Sequence, residues 1–96
     1  MSLYFVRHQH TAETCPAKDP AMGAMLVSHL SPRNAGKFGV TIHGDAVLDK
    51  QHTLVMIVDA ANPDVVQKYM QPFQQAGSVE IVQASACEAV VERGGC

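Results

Sequence analysis

The stretch VTIHGDAVLDKQHTLVMIVDA, residues 40–60, decides the fold. Two runs rich in β-branched and apolar residues flank three polar ones, Asp49-Lys50-Gln51. That pattern predicts two antiparallel strands, 40–48 and 52–60, closed by a tight hairpin, with His52 as the first residue of the second strand.

Downstream, Asn62-Pro63-Asp64 joins a capping residue, a proline suited to the first helical position and an acid that complements the helix dipole. The helix it opens buries Val65, Val66, Tyr69, Met70 and Phe73, is kinked or cut short by Pro72, and stops at Gly77. SVEIVQAS (78–85) reads as a further strand. Ser85 with Glu88 makes a capping box for a short helix, CEAVVER (87–93), and residues 91–96 read as a fraying tail.

Upstream, LYFVRHQH (3–10) is a strand and Cys15-Pro16 lies in the loop after it. Asp19-Pro20 opens a helix whose apolar stripe is Met22, Met25, Leu26, His29 and Leu30. Ser31-Pro32 ends it, with room for one short extra turn, and residues 34–39 read as a loop. Met22, Met25, Met56 and Met70 take core positions, as does Tyr4.

The order is therefore βαββαβ, an α+β ferredoxin-like arrangement in one domain, residues 1–96. Right-handed crossovers give the antiparallel sheet order 4-1-3-2. Strands 3–10 and 52–60 are apolar on both faces, yet two helices cover only one. The second face is expected to pack against another copy, in a homodimer, with Arg7 on that side.

Composition limits the function classes. The chain carries 17% charged residues and a net charge of −2. Its basic residues are scattered, so no stripe for nucleic acid forms. No apolar run approaches the roughly 18 residues of a membrane span, and the opening residues MSLYFVRH lack the basic, apolar pattern of a signal peptide. Cys15, Cys87 and Cys96 are an odd number, which fits reduced thiols in a cytoplasmic protein.

RHQHTAETCP, residues 7–16, holds the most reactive side chains. Period-two alternation places His8 and His10 on one face of the first strand. The antiparallel neighbour brings His52 to the same end, where Cys15 and Glu13 leave the strand. Two imidazoles, a thiolate and a third imidazole make a His3Cys set for a transition ion, zinc, copper or iron. Glu13 stands nearest for proton transfer.

An alternative is a metal-free isomerase or monooxygenase-like enzyme on a small molecule, with His8 as general base oriented by Glu13 or Glu80. A third is a non-catalytic binding or assembly module. Cys87 and His29 are expected at the opposite end, and His43 behind the intervening strand. No dinucleotide, phosphate-loop, dithiol or zincin motif occurs.

The hairpin, the helix ending in PFQQAG (72–77) and the strand that follows resemble the dimeric α+β-barrel superfamily, especially its small bacterial domains. That resemblance implies two ferredoxin-like subunits with sheets face to face and pockets between sheet and helices. It assigns no catalytic residue here.

Overall fold

The computed structural model describes residues 1–96. Four strands, β1 (Ser2–His10), β2 (Thr41–Leu48), β3 (Thr53–Ala60) and β4 (Gly77–Ala84), form one antiparallel sheet of order β2-β3-β1-β4. Read from the other edge this is 4-1-3-2, so the two inner strands are the two most apolar ones. Residues Val6 and Met56 face one another across β1 and β3, and His8 faces Leu54 on one side and Val79 on the other. No helix is long and apolar enough to cross a membrane.

Alternation sorts the two faces. Tyr4, Val6 and His8 of β1 and Leu54, Met56, Val58 and Ala60 of β3 are buried on the side that the helices cover. Val66, Tyr69, Met70 and Phe73 pack down on them from α3 (Pro63–Tyr69), the Met70 junction and α4 (Gln71–Gln74). Pro72 divides this helical stretch, since its nitrogen carries no hydrogen to donate to a helix hydrogen bond. Asn62 caps α3 by accepting from the Val65 amide at 3.1 Å. Burial pushes the Tyr69 hydroxyl up to about 12, with Asp45 adding to the rise. The hydroxyl donates to the His29 carbonyl at 2.8 Å.

Several local expectations are corrected. Residues 32–37 are a helix, α2, capped by Ser31, where a loop was expected from Asn34 onward. α1 (Pro20–His29) buries no residue completely, and Met22 and Met25 are exposed. Only Leu26 and Leu30 of its stripe reach the core. The cause is open space beneath the helix, where Met22, Met25 and Leu26 line a cavity with His8 and Phe73.

Ala86, one residue after Ser85, caps α5 (Cys87–Arg93) and makes no side-chain bond. Ser85 instead accepts from the Arg93 guanidinium at 3.1 Å, and the same side chain holds the Gly95 carbonyl at 2.8 Å. The helix spans Cys87–Arg93 as the sequence indicates, so of the stretch 91–96 read as a fraying tail only residues 94–96 lie beyond it. Gly77 opens β4 and has a role beyond stopping a helix. A Cβ there would stand 2.0 Å from the Gln9 carbonyl oxygen and 2.9 Å from the His10 Cα.

Candidate metal centre

The end of β1 sets the site. His8 and His10 share the helix-covered face, and their rings stack with centroids 5.2 Å apart. The β2–β3 turn closes over this end. The His10 amide donates to the His52 carbonyl at 3.1 Å, which fixes the turn against the strand. His52 belongs to the turn and precedes the strand it was expected to begin, because β3 starts at Thr53. Its φ is +49°, and that of Lys50 is +64°. This left-handed conformation costs an ordinary side chain of the order of 1 kcal/mol and is cheapest for glycine. A histidine kept there is a local strain of the kind found at working sites.

The loop after β1 brings the thiol. Thr14 donates through Oγ1 to the Ala76 carbonyl at 3.0 Å, and Pro16–Lys18 make one 3-10 turn. Cys15, between these anchors, is half-buried and free of any disulfide. Ligand atoms of His10, Cys15 and His52 all lie within 4.8 Å of one another. A cavity of about 230 Å³ opens beside them, bounded also by His8, Leu26 and Phe73.

Hydrogen bonding makes the cluster chemically unusual. Both ring nitrogens of His10 are buried without a partner, as is Nε2 of His8. Each such atom costs of the order of 1–3 kcal/mol unless something binds it. His8 Nδ1 donates to the Ser78 carbonyl at 3.1 Å. A carbonyl can only accept, so Nδ1 carries the proton and Nε2 is a lone-pair acceptor.

Burial holds both imidazoles below their ordinary value. For His8 the Ser78 hydrogen bond partly opposes the shift and His10 adds to it; for His10 the second cause is His52. Neutral imidazole is the form that ligates metals.

A pH dependence follows. The folded-state values lie below the unfolded 6.5, so the unfolded chain binds more protons on acidification. Stability is then full above that value and declines as pH falls towards the folded values, by at most about 1.4 kcal/mol per pH unit for each histidine. Urea unfolding with a chelator present, at about pH 7.5 and about pH 5.5, is expected to show the loss. Exchange of both histidines for glutamine should flatten it.

The remaining polar side chains fall around this group or away from it. His8 stands beside the three-residue group, which consists of His10, Cys15 and His52. Glu13 is exposed and does not border this cavity, because the Thr11–Thr14 turn carries it outward. Glu80 pairs in register with Arg7, on the face opposite the histidines. His43 sits at a bulge in β2 and pairs with Asp59 at 2.5 Å, also away from the site. Cys87 and Cys96 are exposed, and Cys87 follows the far end of β4, where the sequence places it.

His29 departs from expectation in the other direction. It lines a second cavity together with His8, whereas its placement at the opposite end of the molecule is expected from the sequence. Its ring stacks on Tyr69 with centroids 4.5 Å apart, which draws the end of α1 over the sheet. The sequence showed its helical phase but could not show this stacking partner.

The chain matches no known family profile, and no curated protein is similar to it in sequence.

Proposed function

We propose that the chain is a transition-metal-binding protein whose ion is held by His10, Cys15 and His52, with a fourth position open to the adjoining cavity. The observation that carries this reading is the convergence of two imidazoles and a thiol within 4.8 Å, one imidazole having no partner for either buried nitrogen. Two borderline nitrogen ligands with one soft thiolate suit zinc, copper or iron. An ion would relieve the orphaned His10 nitrogen and give the strained His52 backbone a reason to persist. Zinc titration, read by competition with a chromophoric chelator, tests it: one equivalent binds, and Cys15→Ser weakens binding by at least about a hundredfold.

His52→Gly separates function from folding. It removes a ligand but places glycine where φ is positive. The metal-free variant should lose no stability, and gain up to about 1 kcal/mol, while metal binding falls.

The proposed assembly is a ferredoxin-like homodimer of the α+β-barrel kind, in the reducing cytoplasm where a free thiol ligand survives. One protomer exposes 6360 Å². A 10.3 kDa monomer is expected to expose roughly 5400 Å². The surplus approximates the roughly 800 Å² that each partner gives to a standard interface. Ile57 and Val82 lie exposed on the uncovered sheet face and are the natural centre of the contact. Ile57→Lys is expected to convert a dimer to a monomer by light scattering at micromolar concentration. A monomeric parent protein would contradict this assembly.

A further inference from the structure

A second cavity, of about 220 Å³, lies under α1 beside the first. Met22, Met25, Leu26, Pro72, Phe73 and Ala76 give it an apolar wall. Its polar neighbours are nearly all satisfied. His29 donates through Nε2 to the Tyr69 carbonyl at 2.8 Å, and its Nδ1 accepts from the Asn34 amide at 3.2 Å. Thr14 is engaged with the Ala76 carbonyl. The remaining polar side chain on the wall is His8, 2% exposed, whose Nε2 has no partner.

We propose that this cavity is a binding site for a one-ring phenol, whose ring fills the apolar space and whose hydroxyl donates to His8 Nε2. Size favours a single ring, since a cavity of roughly 150 Å³ already accommodates benzene. The wall favours an aromatic one. Phe73 offers an aromatic contact and two methionine sulfurs sit well against ring edges. The donor is required because Nε2 can only accept while Nδ1 holds its proton against Ser78.

Exposure of Met22 and Met25 marks the mouth: flexible thioether side chains line an opening and yield to an entering ring. The site goes beyond the metal reading and does not need the ion, although His8, Pro16, Leu26 and Phe73 border both cavities.

The test compares 4-methylphenol with 1,4-dimethylbenzene, which has a methyl in place of the hydroxyl, by NMR titration of the full chain with a chelator present. Saturable binding is expected, with shifts centred on Met22, Met25, Leu26 and Ala76. The phenol should bind about fivefold or more tightly than the hydrocarbon, the value of one buried hydrogen bond. His8→Leu should erase that preference, and Ala76→Leu should weaken both probes by about tenfold by filling the space.

The comparison on the unaltered protein stands even if a variant fails to fold. Equal affinity for the two probes, no saturation at millimolar concentration, or shifts confined to other residues would overturn the site. So would phenol binding that appears only after zinc is added, because the hydroxyl would then be addressing the ion. A protein that binds no metal yet discriminates the probes would remove the metal reading and leave this one standing.

Discussion

Gly77→Ala is expected to destabilise the protein by about 3 kcal/mol, at the upper end of what overpacking costs. The added methyl would meet backbone only: the Gln9 carbonyl oxygen at 2.0 Å, its carbon at 2.8 Å and the His10 Cα at 2.9 Å. No flexible side chain is there to move aside, so β4 must separate from β1 at His10, the proposed ligand opposite Gly77. Urea unfolding would register the loss, and zinc affinity should fall with it. Gly36→Ala is the matched control. Its Cβ meets nothing within 4 Å inside α2, so it should stabilise by up to about 1 kcal/mol. Equal effects at the two glycines would refute the close approach of β1 and β4.

The second large effect comes from metal. Zinc at a hundred times its dissociation constant should stabilise the fold by about 2.7 kcal/mol, because the ligands converge only in the folded chain. Thermal unfolding with and without chelator measures this directly. Cys15→Ser should abolish the difference, while Cys87→Ser and Cys96→Ser, both at exposed positions, should keep it. Retention of the full effect in Cys15→Ser would remove the thiolate from the site.

Periodicity explains why the sheet could be read in advance. β1 and β3 alternate with apolar residues on both faces, and the hairpin, the Asn62-Pro63 cap and Pro72 each leave a chemical mark on the sequence. His8 and His10 fall on a common face by the same rule. What could not be read depends on contacts distant along the chain. Asp49-Lys50-Gln51 contains no glycine to announce that Lys50 and His52 adopt positive φ, so the sequence pattern runs the strand back to His52. Met22 and Met25 have helical spacing identical to that of core residues, yet α1 stands over two cavities and leaves them exposed.

Loops were least legible. Glu13 and Cys15 are two residues apart, and only the Thr14–Ala76 hydrogen bond explains why one turns out to solvent while the other turns in. The sequence places Glu80 near the start of its strand, but its register opposite Arg7 puts it on the wrong face for the histidines. The pairing of His29 with Tyr69 crosses forty residues of sequence and leaves no local trace.

Elemental analysis of protein purified without a histidine tag tests the central claim most directly. One equivalent of zinc, copper or iron per chain is expected, falling below about a tenth of an equivalent in a His10→Ala, Cys15→Ser double variant. A parent protein with less than that tenth of an equivalent, or a double variant that keeps its metal, would contradict a centre built from His10, Cys15 and His52.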